Sequence, residues 1–170
     1  MSDPEPGPIP GSVLFCCDHN AIRSPMAEGM MKKLYGRQAY VQSAGVMSDM
    51  EVDGFAIAVC GELGIELGRH RVRSFDDMRQ WGDDLGQFDL VVALSPASKH
   101  QALELTRHFH LDVEYWPIMD PSGLGEGRDA RLAAYRQTRD QIETRMRARF
   151  GPPIEDNAGD SIPLAQGGAA

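Results

Sequence analysis

Cysteine is scarce in this chain, three in 170 residues, and no Cys-x-x-Cys pair occurs. Three is too few and too odd a number for a disulfide framework, and the missing pair removes the commonest thiolate metal and redox spacing. Such usage suits a reducing cytosol. Positive charge is also in short supply: 17 Lys and Arg stand against 25 Asp and Glu, a formal net charge of −8 at pH 7. Broad electrostatic binding to nucleic acid or to an anionic membrane is thereby disfavoured, and any phosphate site has to be locally positive. No apolar run approaches the roughly 20 residues of a membrane span. The acidic, proline-rich start from Met1 to Gly11 lacks the basic and apolar regions of a signal peptide.

What is present reads as one ordinary globular domain, 42% hydrophobic and 25% charged. Residues 1–11 and 151–170 are rich in Pro, Gly and small residues and are expected to be disordered flanks of a domain over 12–150. Val13 to Cys17 is a short continuous apolar run, the pattern of a strand buried on both faces. Helix is predicted from Pro25 to Tyr35, strand over Ala39 to Gly45, and helix over Val52 to Leu63 with Cys60 on its apolar side. A basic loop, Ile65 to Ser74, reads for the most part as a solvated turn, and Phe75 to Gln87 holds at most a short helix. Phe88 to Leu94 is the clearest strand. Ser95-Pro96 starts a helix to about His110, Val113 to Ile118 forms a fourth strand, and Asp129 to Phe150 a last helix. His100, His108 and His110 have no metal-ligand spacing. Strands alternating with helices imply an α/β fold, a doubly wound four-stranded parallel sheet with helices on both faces. Ligands of such folds bind beyond the carboxyl ends of the strands. Cys17, Ser43, Ser95 and Asp120 all follow predicted strand ends and should share one rim.

The densest signal lies in Val13 to Pro25, which runs from strand to loop to helix. Cys17 and Arg23 stand six positions apart, so a loop wrapping once round an anion places a thiolate beneath it and a guanidinium beside it. Loop N–H groups supply the rest of the cradle. Ser24-Pro25 reads as the helix start, with Ser as cap and Pro in the first turn. Arg23 and the helix N-terminus both favour thiolate over thiol at Cys17. Asp120, after the fourth strand, is the acid able to protonate a leaving oxygen and then activate water.

Cys17 to Arg23 with Ser24-Pro25-Met26-Ala27-Glu28, Ser43-Ala44-Gly45 and Asp120-Pro121 together resemble the low-molecular-weight protein-tyrosine phosphatases over about Ser12 to Phe150. The resemblance implies a flavodoxin-like strand order of 2-1-3-4. It also implies Cys17 as nucleophile, Arg23 as phosphate ligand and transition-state stabiliser, and Asp120 as general acid and base. The phosphate loop is then Asp18, His19, Asn20, Ala21, Ile22 and Arg23, and a supporting hydrogen-bond network falls on Asn20, Ser24, Ser43 and His70.

Four departures bear on the loop and its pocket. A usual loop glycine is His19, which carries strain if that position needs positive φ. A usual apolar wall residue is Asp18, which repels phosphate if turned inward and otherwise faces solvent or meets a cationic part of the substrate. Ser122-Gly123 stands where the family usually offers an aromatic wall. Ile22 replaces a second loop cysteine, and a bridge between adjacent Cys16 and Cys17 would be strained.

These features lead to a phosphomonoester hydrolase working through a phosphocysteine, with no metal or organic cofactor. The expected partner is a phosphorylated protein or a small phosphomonoester, with no nucleic acid or membrane, and the expected assembly a monomer or weak homodimer. The alternative from another class is a phosphate- or phosphoprotein-binding module without turnover. Arsenate reduction ranks below both, because it needs resolving cysteines and only Cys60, expected in the core, is on offer.

Overall fold

The computed structural model describes residues 5–153. Four strands, β1 (Ser12–Cys17), β2 (Tyr40–Gly45), β3 (Leu90–Ala93) and β4 (Asp112–Tyr115), form one parallel sheet in the order β2-β1-β3-β4. Five helices accompany them: α1 (Arg23–Tyr35), α2 (Gly54–Gly61), α3 (Phe75–Gln80), α4 (Pro96–Leu105) and α5 (Arg128–Phe150). The expected order and class are what the chain adopts.

β1 is central and buried along its whole length, so its two-residue period feeds two separate cores. Val13, Phe15 and Cys17 join α1, α2 and α5 on one face, together with Leu90, Val92 and Trp116. Leu14 and Cys16 face α3 and α4 on the other, with Phe75, Phe88, Val91 and Leu105. The sheet is therefore covered on both sides, and the strand order reverses at β1. A crevice opens there beyond the carboxyl end of Cys17.

Element ends differ from the sequence reading for local reasons. α1 begins at Arg23 and its N-cap position, Ile22, makes no side-chain cap. The Ser24 hydroxyl is occupied in the site instead, and Pro25 falls in the first turn, where no intrahelical N–H bond is lost. The same Ser-Pro signal is a true cap at α4, where Ser95 accepts from Ser98 N and Pro96 follows. α2 starts late because Asp53 caps it, accepting from Phe55 N and Ala56 N while its other oxygen accepts from Tyr135 OH at 3.0 Å. α4 ends at Leu105 rather than near His110. β4 gives way at Trp116, since Pro117 has no N–H to donate, although Trp116 N and Ile118 N still bond Ala93 O and Leu94 O.

Part of the lead expected to be disordered is tied down. Gly7 N donates to Arg149 O at 3.0 Å, Tyr40 N donates to Gly11 O at 2.9 Å, and Ile9 packs on the α5 side of the core. A segment with no core of its own borrows partners from α5 and β2. At the other end Gly151 O accepts from Tyr35 OH at 2.7 Å. The rest of the expected flanks, 1–4 and 154–170, lies outside the described residues. No helix among the described residues is long and apolar enough to cross a membrane.

Gly45 is where β2 touches the loop after β1. A Cβ there would sit 2.7 Å from Asn20 N and Met47 O and 2.8 Å from His19 C, all backbone atoms that cannot swing aside. Gly45→Ala is expected to cost about 1–3 kcal/mol of stability, read as a lower urea midpoint, and to reduce phosphate affinity because the strain falls on the loop; an unchanged midpoint and affinity would contradict this packing.

Candidate active site

The loop Asp18–Ile22 leaves β1 at Cys17 and turns into α1 at Arg23. Its carbonyls point away from its centre: Cys17 O accepts from Val46 N, Asp18 O from Met47 N, Ala21 O from Asp53 N and Ile22 O from Met26 N. Among the described residues, the N–H groups of Asp18 to Arg23 have no protein acceptor. Carbonyls outward and amides unspent is the arrangement of an anion cradle. Cys17 Sγ lies against it, 3.0 Å from Ser24 Oγ and 3.4 Å from Ser24 N.

The curvature of the loop is set by Asn20, the one non-glycine residue with positive φ (55°) among the described residues. The strain foreseen at His19 therefore falls one residue later, on a residue type that tolerates the left-handed region. Asn20 is fully buried and uses its whole amide. Its Nδ2 donates to Ser24 Oγ and Ser43 Oγ, both at 2.9 Å. Its Oδ1 accepts from Arg73 N at 3.0 Å and His70 Nε2 at 2.9 Å. Four bonds saturate the group.

Because Asn20 Nδ2 donates to Ser24 Oγ, the single Ser24 hydroxyl proton is left for the Cys17 sulfur at 3.0 Å or Ala44 O at 3.4 Å. Ser43 Oγ donates to Glu28 Oε1 at 2.6 Å, and Glu28 Oε2 takes Lys32 Nζ at 2.6 Å. Burial pushes the His70 pKa down, helped by the Arg73 and Lys32 charges and opposed by Glu28. A neutral His70 protonated on Nε2 fits its bond to Asn20 Oδ1. The structure thus joins Asn20, Ser24, Ser43 and His70 in one buried chain. Glu28 and Arg73 belong to it as well. Arg73, placed in a solvated turn by the sequence reading, instead bonds Ser43 O at 2.9 Å and the Gln42 side chain.

Arg23 is buried beside the loop, Nη1 donating to Ile118 O at 2.9 Å. Its Nη2 faces two carboxylates, Asp18 Oδ2 at 3.4 Å and Asp120 Oδ2 at 3.9 Å. Asp18 thus turns to the arginine, and its Oδ1 is buried with no hydrogen-bond partner among the described residues. Asp120 is half-exposed and accepts from Ser122 N at 2.9 Å. Burial raises its pKa, but the Ser122 hydrogen bonds and the Arg23 and His19 charges outweigh that and hold it below the usual carboxylate range.

A cavity of about 90 Å³ opens at this point, lined by Cys17, His19, Ala21, Ile22, Arg23, Met50, Asp120 and Ser122. Of the six expected phosphate-loop residues, Asp18 and Asn20 do not line it; Asn20 braces the loop from behind. Ser95, expected on this rim, caps α4 and bonds Ser98 instead. His19 Nδ1 donates to Asp49 Oδ1 at 2.7 Å, a pairing with no signal in the sequence. A larger groove, about 1010 Å³ between α5 and Trp116–Ile118, contains no nucleophilic thiol. No group of three or more His, Cys, Asp or Glu fit to hold a metal occurs among the described residues.

The family model for low molecular weight phosphotyrosine protein phosphatases matches residues 12–155. The chain belongs to that family. Similar curated proteins include arsenate reductase 2 of Staphylococcus haemolyticus, 30% identical over 133 residues, 78% of this chain and 91% of the relative. Another is the arsenate reductase of Bacillus subtilis, 28% identical over 138 residues, 79% of this chain and 91% of the relative. Among solved structures, an arsenate reductase in the phosphate binding state superposes with a TM-score of 0.64 at 27% identity, covering 79% of this chain and 92% of its own. The YwlE arginine phosphatase, as a mutant with a phosphorylated active site serine, gives 0.62 at 25% identity, covering 81% and 91%. As a phosphatase-family chain, this one departs at Asp18, whose charge opposes an anion on Arg23. Asp18→Asn is expected to tighten inorganic phosphate binding several-fold at low ionic strength, the gain shrinking in salt; titration calorimetry showing weaker binding would refute that role.

Proposed function

We propose that the protein hydrolyses phosphomonoesters through a phosphocysteine on Cys17. The observation that carries this reading is the cradle itself: unspent loop amides, Cys17 Sγ within 3.0 Å of Ser24 Oγ, and Arg23 beside Asp120 at one small cavity. In the first step Cys17 Sγ attacks phosphorus, the bond to the ester oxygen breaks, and Asp120 gives its proton to that oxygen. Arg23 and the loop N–H groups hold the three remaining oxygens as their charge redistributes. In the second step Asp120, now a carboxylate, takes a proton from water, which displaces the cysteine sulfur and frees phosphate.

Several relatives carry the name arsenate reductase, and arsenate has the shape and charge of phosphate. The positions of this chain's cysteines oppose an intramolecular thiol relay. Cys16 lies on the other face of the sheet from Cys17, its thiol against Val92 O. Cys60 is fully buried in α2, and burial pushes its thiol up to about 12. Both thiols are fully buried, which opposes their passing a disulfide outward.

The test is phosphate release from a simple aryl phosphate across pH. A carboxyl held low at Asp120 is protonated only on the acid side, so turnover should fall as pH rises. Asp120→Asn should lose about 10²–10⁴-fold in kcat and flatten that decline, whereas Cys17→Ser should release no phosphate. Turnover retained in Cys17→Ser would refute the mechanism.

A further inference from the structure

His19 stands where a loop glycine is usual, and it puts an imidazole on a cradle otherwise built from backbone amides. Positive φ falls on Asn20 and not on His19, so the imidazole is carried without left-handed strain. Its Nδ1 donates to Asp49 Oδ1 at 2.7 Å, with both side chains partly exposed. That hydrogen bond is the chief cause holding the Asp49 carboxyl below the usual carboxylate range, so the acceptor is an anion and the Nδ1 proton is fixed. Nε2 is the nitrogen left over. It accepts when the ring is neutral and donates when the ring takes a second proton.

His19 lines the cavity of about 90 Å³ with Cys17, Arg23 and Asp120. That volume is roughly three times the share of liquid held by one water, so groups on its wall act on the same small anion. Arg23 is the one Lys or Arg among the described lining residues, and its Nη2 already faces Asp18 Oδ2 at 3.4 Å and Asp120 Oδ2 at 3.9 Å. One cation against two carboxylates is a poor match for a dianion. The charge of His19 reaches across to Asp120: burial raises that carboxyl's pKa, and the Ser122 hydrogen bonds, Arg23 and then His19 lower it. A proton on the ring is thus felt where the anion would sit. The charged and titratable groups about His19 are Asp49 on the loop after β2, Asp120 on the loop after β4, and Cys17, Asp18 and Arg23 on its own loop and α1. A latch between the loop and the segment before α2 would need only one donor at Nδ1; the second nitrogen is what a histidine adds.

Resting on the hydrolase reading above, we propose that His19 is a second cationic ligand of the phosphoryl group, taking a proton from solvent as the anion enters and donating from Nε2 to one of its oxygens. Asp49 orients the ring from the far side. Between a carboxylate and a dianion, the imidazolium meets negative charge at both nitrogens, and it offsets part of the opposition from Asp18. The grip on phosphate is therefore strong on the acid side and is lost as pH rises and the ring gives up its proton.

Sulfate tests this by calorimetry, because it has the shape of phosphate and stays a dianion across the range in which an imidazole titrates. In Cys17→Ala, which removes the thiolate, sulfate affinity should fall about five- to tenfold from about pH 5 to about pH 8, and binding near neutral pH should take up protons from the buffer. With His19→Asn added, whose amide can still donate to Asp49, affinity should be weak and nearly flat with pH. With His19→Lys added instead, it should be strong and flat. A mere latch predicts the reverse, affinity kept in His19→Asn and lost in His19→Lys. A slope that survives His19→Asn, or no gain from His19→Lys over His19→Asn on the alkaline side, would overturn the proposal. In the otherwise intact protein His19→Asn should raise KM for a simple aryl phosphate about fivefold at acid pH and leave kcat within about threefold. Sulfate binding as described without aryl phosphate turnover refutes the hydrolase reading alone; turnover with an unmoved KM refutes the ligand alone.

Discussion

The site depends on one residue held in an uncommon backbone conformation. At φ 55° Asn20 bends the chain after β1 so that carbonyls face outward and amides inward. An ordinary side chain in the left-handed region costs about 1 kcal/mol or more. Four hydrogen bonds to Ser24, Ser43, His70 and Arg73 offset that cost here, and they come from α1, β2 and the segment before α3. The loop is therefore curved before any ligand arrives. Preorganisation of this kind lets the N–H groups stabilise developing charge without reorganising at the moment of reaction.

The pleat of β1 explains why two adjacent cysteines have opposite fates. A strand sends successive side chains to opposite faces, so Cys17 at the end of β1 meets the loop and α1 while Cys16 points into the α3–α4 core. Desolvation raises the Cys16 thiol and leaves it a small apolar filler with a weak bond to Val92 O. Only one of the pair can serve an anion. Ile22, where a second loop cysteine would stand, packs in the core beside Ala21. Cys17 thus has no second thiol within its loop.

Much of this was legible because it is local. The strand, loop and helix around Cys17 and Arg23 occupy consecutive residues, and apolar periodicity located all four strands and the buried stripe of α5 through Leu132, Tyr135, Ile142 and Met146. What escaped the sequence are pairings between segments distant along the chain. Nothing near Asp49 announces His19, thirty residues earlier. Arg73 looks like one more charge in a basic turn until β2 is seen beside it. At Ser24 only the cap reading fails, and for the opposite reason: its local signal, Ser before Pro at a helix start, is strong, and α4 obeys it at Ser95. In α1 a tertiary demand for the hydroxyl at Cys17 and Asn20 overrides the local preference.

A chain of formal net charge −8 that binds an anion must concentrate positive potential in a small volume. Here the amides and one buried guanidinium supply it, and Arg23 is itself flanked by Asp18 and Asp120. Those carboxylates have different consequences. Asp120 stands at the half-exposed mouth, where an approaching dianion would raise its affinity for a proton. Asp18 has no such exit: with one oxygen buried and unpartnered, it weakens the grip on any anion that Arg23 takes. An anion held on Arg23 would meet that opposition both on arriving and on leaving, so the charge that costs affinity also speeds release.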